Sequence, residues 1–171
     1  SVWNTKVKGK KAKLLCSSVI YGPNAAGKTN VVGAMDVLRA IVLRGNIRNA
    51  KEKSSPNAAS SSLELIPNNK FTRPEPVEFS VEFLENGYCI QYEIRMDLGV
   101  FLDEGYKRNI LSETLTIDGE TVFNRNGKLE IGNLNVIKEY LLDITEKNLD
   151  KANEIAEYSL SDDELFLTNG F

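Results

Sequence analysis

The stretch Gly22-Pro23-Asn24-Ala25-Ala26-Gly27-Lys28-Thr29, followed by Asn30, decides the fold of this chain. Its pattern, G-x-x-x-x-G-K-[ST], is typical of a loop that holds phosphate groups. The two glycines allow a tight turn, so that consecutive backbone N–H groups can point at a phosphate. The Lys28 ammonium group is predicted to contact the β- and γ-phosphates, and the Thr29 hydroxyl to coordinate Mg²⁺. The sequence therefore predicts that residues 22–30, here called the phosphate loop, bind a nucleoside triphosphate.

A predicted strand precedes the phosphate loop and a predicted helix follows it. Residues 14–21 are apolar or small and contain no Gly or Pro, which predicts a central strand covered on both faces. After the loop, apolar residues recur at helical spacing: Val31, Ala34, Met35, Leu38, Ile41 and Val42. Gly45 and Asn46 are predicted to end this helix. Strand, loop and helix in this order are the pattern expected to confirm a phosphate-binding loop.

The clearest β pattern lies between residues 77 and 97. Apolar and polar residues alternate on both sides of Asn86-Gly87, a dipeptide preferred in two-residue hairpin turns. A register that pairs Glu85 with Tyr88 brings four apolar pairs to one face: Val77–Met96, Phe79–Ile94, Val81–Tyr92 and Phe83–Ile90. On the other face it sets Glu78 opposite Arg95. The sequence therefore predicts a hairpin with this register.

Further strands and then helices are predicted towards the C-terminus. The strands are expected at 110–117, 120–125 and 128–131, with turns at Asp118-Gly119 and Asn126-Gly127. Residues 46–76 are rich in Ser, Asn, Lys and Pro, which predicts a polar loop. From Leu134 onward the apolar spacing becomes helical. Glu113 is assigned no role, because a solvent-facing strand residue is as good an interpretation as a functional one.

Composition narrows the classes of site. The 171 residues include no histidine, so the chain itself supplies neither a Ser-His-Asp triad nor a histidine metal site. Cys16 and Cys89 lie among apolar neighbours and are predicted to be buried free thiols.

The net charge is −3, and the lysines between Lys6 and Lys13 are interpreted as a solvated edge rather than a phosphate-contacting patch. No apolar run reaches the length of a membrane span and no signal peptide is visible, so a cytoplasmic location is expected.

The wording of the loop separates classes of P-loop protein. A GTPase would need an N-K-x-D motif, which is absent from this sequence. A small kinase would carry lid arginines in its C-terminal half, and their absence disfavours that class. The segment from Tyr21 to Asn30 resembles the G-P-N-x-[AS]-G-K-[ST]-N form of ABC-class ATPases that are not transporters: the SMC, RecF, RecN and OLD-like proteins. The chain most resembles the AAA-family ATP-binding proteins of bacterial abortive-infection and defence operons. The segments Tyr88 to Ile94 and Ile110 to Leu115 carry the rest of this resemblance.

The resemblance implies an α/β P-loop fold, in which this chain is the N-terminal lobe of an ATPase domain. The implied parts are a strand, loop and helix at 14–45, a polar loop at 46–76, an inserted antiparallel β subdomain at 77–131 and a helical segment at 134–171. That segment would lead to an insertion and a C-terminal lobe. The implied ligands are ATP and Mg²⁺, with Lys28 as the catalytic residue and Thr29 as the metal ligand.

Hydrolysis in that class needs more than the phosphate loop. A Walker B strand and an S-G-G-type signature are missing; the nearest to Walker B, residues 140–143, lies in a helical pattern, and the only glutamine, Gln91, lies in mid-hairpin. The resemblance therefore implies that hydrolysis requires the C-terminal lobe and a homodimer formed through the nucleotide. A nuclease partner and DNA are further implied partners, and a membrane is not. Two alternatives stay open: a non-hydrolysing nucleotide-binding interaction module, and a self-contained kinase-like enzyme.

Overall fold

The computed structural model describes residues 2–7, 10–15, 17–49, 65–67, 75–100, 105–140 and 160–169. These ranges contain a β-hairpin, a long α-helix, a five-stranded sheet and two short helices. The elements are β1 Val2–Val7, β2 Lys10–Leu15, α1 Lys28–Arg44, β3 Val77–Glu85, β4 Tyr88–Asp97, β5 Asn109–Ile117, β6 Glu120–Asn126, β7 Lys128–Ile131, a 3₁₀ helix Leu134–Tyr140 and α2 Phe166–Asn169. The described residues thus form an α/β structure in which every strand pair is antiparallel.

The predicted helix after the phosphate loop is confirmed as α1. It begins after Gly27 and ends before Gly45, and both glycines have left-handed backbone conformations, with φ of 79° and 69°. The Gly45 N–H donates to the carbonyl oxygens of Ile41 and Val42, at 2.9 and 3.2 Å. Glycine adopts this conformation without the steric cost that other residues have, so the predicted end of the helix has a clear physical cause.

The hairpin of β3 and β4 has the predicted register. Glu85 pairs with Tyr88, the four predicted apolar pairs lie directly opposite one another, and Glu78 pairs with Arg95. An ion pair of 2.8 Å joins the last two side chains. Asn86 and Gly87 have positive φ angles, 51° and 85°, as a type I′ turn requires. The sheet continues in the order β3-β4-β5-β6-β7, with the Asp118-Gly119 turn where the sequence predicts it.

An irregularity lies between β5 and β6. Leu115 pairs with Phe123, whereas Thr116 pairs with Thr121, so Val122 is an extra residue in β6. Both Val122 and Phe123 are fully buried, which simple alternation along a strand does not allow. The bulge therefore lets two consecutive residues of β6 contribute to the core.

A single apolar cluster joins α1, one face of the sheet and the C-terminal residues. From α1 it takes Leu38 and Ile41, which are buried. The rings of Phe123 and Phe166 meet edge to face, with centroids 4.8 Å apart. The core thus lies between α1 and the five-stranded sheet, and it is closed by residues near position 166.

The predicted central strand at 14–21 is wrong. β2 ends at Leu15 and pairs only with β1, and residues 17–23 have no regular secondary structure. Val19, Ile20 and Tyr21 are exposed, Tyr21 by 87%. A strand requires a neighbour for its backbone N–H and C=O groups, and within the described ranges none lies beside residues 17–21.

The C-terminal part is only partly the predicted helical segment. Residues 134–140 form a 3₁₀ helix rather than the start of an α-helix, and the predicted helices at 141–159 lie outside the described residues. Of the predicted polar loop at 46–76, the described parts are 46–49, 65–67 and 75–76. Cys89 is confirmed as a free thiol but is only half-buried, and its thiol donates to Glu82 across the hairpin at 3.3 Å. Cys16 lies outside the described residues.

Residues 160–169, here called the strap, cross the C-terminal end of α1. Asn46 forms an antiparallel bridge with Glu164, and the Ile47 N–H donates to the Asp163 carbonyl oxygen at 3.0 Å. The guanidinium of Arg48 contacts the carboxylates of Asp163 and Glu164. The strap therefore connects the end of the phosphate-loop helix to the edge of the core.

Candidate functional site

The phosphate loop turns tightly before α1. The Ala26 N–H donates to the Pro23 carbonyl oxygen at 3.3 Å, and the Asn30 N–H donates to Gly27 at 3.0 Å. Ala25 has a φ of 63°, in the left-handed region that residues with a side chain rarely adopt. A loop with such a backbone directs consecutive N–H groups towards one point, which suits an anion.

Lys28 lies across the mouth of the loop. Its ammonium group donates to the carbonyl oxygens of Gly22 and Pro23, at 2.9 and 2.6 Å. A lysine ammonium group has three donors, and these two carbonyl oxygens are its acceptors among the described residues. The charge of Lys28 thus lies beside the first two residues of the loop.

The start of α1 suits an anionic ligand. The first turn contains no acidic residue, and within the described part of the chain no side chain caps the helix N-terminus. Backbone N–H groups at such an end carry a partial positive charge and have no intrahelical acceptor. Phosphate groups therefore fit this position on grounds of charge and hydrogen bonding.

Thr29 is an exposed residue in the first turn of α1, next to Lys28. In the described ranges, no three residues among Asp, Glu, Cys and His are grouped so that they could hold a metal ion. The Thr29 hydroxyl is an oxygen donor of the kind that Mg²⁺ binds, so Thr29 is the residue of the loop that would hold Mg²⁺ bound together with a nucleotide.

The remaining predicted loop residues surround the same point. Pro23, Asn24, Ala25 and Ala26 are exposed, as is Asn30, whose backbone supports the turn at Gly27. The structure thus brings all the predicted nucleotide-binding residues together.

Gln91 lies elsewhere in the molecule. Its side-chain amide donates to Glu93 at 2.9 Å within the sheet, so the structure gives it no place near the loop.

Glu113 is a buried residue that the sequence interpretation missed. It is 0% exposed, so the solvent-facing interpretation is wrong. Its carboxylate accepts hydrogen bonds from the Tyr92 hydroxyl at 3.0 Å and from the backbone N–H groups of Phe166 and Leu167 at 2.7 and 3.0 Å. A signal for this was present, because Glu113 shares its face of β5 with Leu115 and Ile117.

Opposing effects act on the Glu113 carboxyl group. Burial raises its pKa, since the charged form loses its hydration, while the three hydrogen bonds and the nearby Arg125 favour the charged form. Burial and the neighbouring carboxylate also raise the pKa of Tyr92. All three donors belong to the sheet or the strap, so this carboxylate holds the strap and takes no part in the phosphate loop.

An apolar groove lies between α1 and β3–β5. It has a volume of about 770 Å³, and its lining includes Met35, Val42, Phe83, Ile90 and Leu167. No residue of the phosphate loop lines it, and its surface offers little to a phosphate group.

Among the described helices, none is both long and apolar enough to cross a membrane.

The chain is similar to a known family of protein domains. Residues 17–163 match the family described as "AAA domain, putative AbiEii toxin, Type IV TA system". No curated protein and no solved structure matches the chain. Domains of the AAA type bind nucleotides and are generally ATPases. Because the match spans most of its length, the chain belongs to the AbiEii-type AAA domain family.

Proposed function

We propose that this chain binds ATP with Mg²⁺ through residues 22–30 and acts as part of an ATPase. The observation that carries the proposal is the position of Lys28, whose ammonium group lies within 2.9 Å of two loop carbonyl oxygens at the start of an uncapped helix. The family match supports nucleotide use in general. The loop supports a triphosphate in particular, because it joins the Lys28 ammonium group to the N-terminus of α1.

The residues of the loop would act mainly by placing charge. Backbone N–H groups of the turn and of the first turn of α1 hold the phosphate oxygens, and Lys28 offsets the charge on the terminal phosphates. The Thr29 hydroxyl contributes one ligand to the metal. Bound Mg²⁺ would supply further neutralisation of the phosphate oxygens. Chemistry of this kind depends on positions rather than on a covalent intermediate.

We further propose that a C-terminal lobe of the same ATPase covers the apolar residues before the loop. Val19, Ile20 and Tyr21 are exposed, as are Val31 and Met35 on the first half of α1. Exposed apolar patches of this kind usually mark an interface. Hydrolysis would then require this lobe and a second copy of the protein joined through the nucleotide, which would complete the charge arrangement around the phosphates.

A role in DNA-linked or anti-phage defence is the biological function that we propose. The family description names a toxin of a type IV toxin–antitoxin system, and the wording of the loop resembles that of defence ATPases. A nuclease partner and DNA would fit this role. ATP turnover by the full-length protein, measured with and without DNA, separates an ATPase from a module that binds nucleotide without hydrolysing it.

The Lys28→Ala variant tests the nucleotide site. Loss of the ammonium group should weaken ATP binding by the full-length protein by about tenfold or more, because a charge-assisted contact to phosphate is worth roughly 1.5–3 kcal/mol. The measurement is calorimetric titration with ATP and Mg²⁺.

Lys128→Ala is the matched control, since Lys128 is an exposed lysine on β7, outside the loop. It should bind ATP as the unmodified protein does. Equal affinities for the Lys28→Ala variant and the unmodified protein would show that residues 22–30 do not hold the nucleotide.

A further inference from the structure

The two halves of α1 differ in how they are held. Leu38, Ala40 and Ile41 in the C-terminal half are buried, whereas Val31 and Met35 in the N-terminal half are exposed by 52% and 54%. Among the described residues, the packing that fixes α1 is therefore concentrated away from the phosphate loop. Because sharp kinks have identifiable causes and α1 contains no proline, the direction of α1 at the loop depends on how its C-terminal half is fixed.

The strap supplies the polar part of that fixation. The Leu165 N–H and the Asn169 side-chain amide both donate to the Gly45 carbonyl oxygen at 2.8 Å. The Thr168 hydroxyl donates to the Val42 carbonyl oxygen at 2.9 Å. These carbonyl groups belong to the last turn and the C-cap of α1, where intrahelical donors are lacking. The strap thus completes the end of the phosphate-loop helix.

Glu113, a residue of β5, connects the strap to the sheet. Its carboxylate accepts both backbone N–H groups at the start of α2, and Tyr92 donates a third hydrogen bond. A charged group that is fully buried is costly unless it is fully hydrogen-bonded, so the carboxylate and the strap require each other. Glu113 is therefore one of the groups that fix the strap, and it is the one that satisfies the backbone N–H groups at the start of α2.

From these contacts we propose that Glu113 is a positioning residue for the nucleotide site. It fixes the strap on the C-terminal end of α1, the strap fixes the direction of α1, and the contacts of the strap are thereby coupled to nucleotide binding at the loop. The proposal rests on the proposed binding of ATP by residues 22–30. Coupling between two sites is reciprocal. If a bound nucleotide stabilises the contacts between the strap and α1, the nucleotide must bind more weakly when these contacts are lost.

Hydrogen–deuterium exchange on the full-length protein tests one direction of this coupling. We expect a non-hydrolysable ATP analogue with Mg²⁺ to slow amide exchange at Phe166 and Leu167 as well as in the phosphate loop. Protection of the loop with unchanged exchange at these two amides would overturn the proposal. Absence of protection in the loop itself would instead overturn nucleotide binding by residues 22–30, so the two failures are distinguishable.

Binding of the same analogue to variants tests the other direction. Glu113→Gln keeps the shape of the side chain but removes its charge and one acceptor, and Thr168→Val removes an exposed contact to α1 without changing the core. Both should weaken binding, Glu113→Gln by about fivefold or more. Retention of full affinity by Thr168→Val and by a folded Glu113→Gln variant would contradict the coupling.

Val77→Ala is the matched control, because Val77 is a half-buried residue of β3, two strands away from Glu113. It should lower stability and leave the affinity within about twofold of the unmodified protein. An equal loss of affinity in Val77→Ala and Glu113→Gln would attribute the effect to general destabilisation and overturn the positioning role.

Discussion

Phe166 joins the strap to the sheet through an apolar contact. Its ring packs edge to face against Phe123, with an interplanar angle of 76°, and both side chains are fully buried. Its backbone N–H donates to Glu113 at 2.7 Å. One residue thus provides both an apolar and a polar anchor for the strap, and the two contributions can be separated by truncating the side chain alone.

We expect Phe166→Ala to lower the free energy of unfolding by about 3–5 kcal/mol, because it removes a buried ring and leaves a cavity. Urea unfolding followed by circular dichroism measures this change. Phe83→Ala is the control, since Phe83 is 46% exposed, and its cost should be clearly smaller. Similar costs for the two variants would mean that the ring of Phe166 is not part of the core.

The nucleotide-binding role of residues 22–30 stays a prediction. Because these residues are consecutive, the sequence alone places them together at the start of α1. Glu113 was not predictable in the same way, because two of its three donors, Phe166 and Leu167, come more than fifty residues later in the chain. Alternation along β5 placed Glu113 on the apolar face but could not identify what would satisfy its charge.

At the scale of elements, Gly33 and Gly132 differ in the space that their surroundings leave for a side chain. Gly33 lies in α1 with open space where a Cβ atom would be, while a Cβ atom on Gly132, after β7, would lie 2.1 Å from the Thr121 carbonyl oxygen. The backbone at Gly132 is held there, since its N–H donates to the Val122 carbonyl oxygen at 2.8 Å. The surroundings of Gly33 therefore leave room for a side chain, whereas Gly132 allows a close approach of two backbones.

Gly33→Ala should raise the free energy of unfolding by about 0.5–1 kcal/mol, because alanine is the better helix former. Gly132→Ala should lower it by about 1–3 kcal/mol, because the backbone must move away from the added methyl group. Thermal denaturation of both variants measures the two signs. The same sign for both would contradict the close packing of residue 132 against β6.

Elements were predictable where their partners are local. The hairpin of β3 and β4 is set by its own turn and its own alternation, so its register was predicted pair by pair. The strand expected at 14–21 was wrong because a strand depends on a neighbour, which the sequence of the strand does not specify. The 3₁₀ helix at 134–140 has helical apolar spacing, and this spacing does not distinguish it from an α-helix over so few residues.

At the scale of the molecule, ion pairs hold the strap to the end of α1. The guanidinium of Arg48 donates to Asp163, in one contact at 2.8 Å, and to Glu164 at 2.8 Å. Arg125 donates to the Glu164 carbonyl oxygen at 2.6 Å from the opposite side. The hydrogen bond from Arg48 lowers the pKa of Asp163 below its usual range.

This lowered pKa gives the stability a defined pH dependence. A carboxyl group whose pKa is lower in the folded than in the unfolded state contributes stability above its ordinary pKa of about 4, and this stability is lost as the pH falls through the lowered value. Asp163→Asn should therefore cost about 0.5–1 kcal/mol at pH 7, as partly exposed ion pairs do, and progressively less in acid. Urea unfolding of both proteins at several pH values measures the difference.

Asp36→Asn is the control, because Asp36 is exposed on α1 and far along the helix from the strap. Its effect on the unfolding free energy should stay within about 0.5 kcal/mol at each pH. A cost of Asp163→Asn that does not shrink in acid would contradict the contribution of the ionised pair.

The two left-handed glycines that bound α1 make its length a constraint on the sequence. One belongs to the phosphate loop and the other accepts hydrogen bonds from the strap, so α1 spans the distance between the loop and the strap. The 17 residues of α1 span about 25 Å between these points. One inserted residue would advance the loop by about 1.5 Å and rotate it by about 100° around the helix axis relative to the strap. The length of α1 therefore sets the distance and the angle between the phosphate loop and the strap. We expect α1 to tolerate substitutions of its exposed side chains better than the insertion or deletion of a residue.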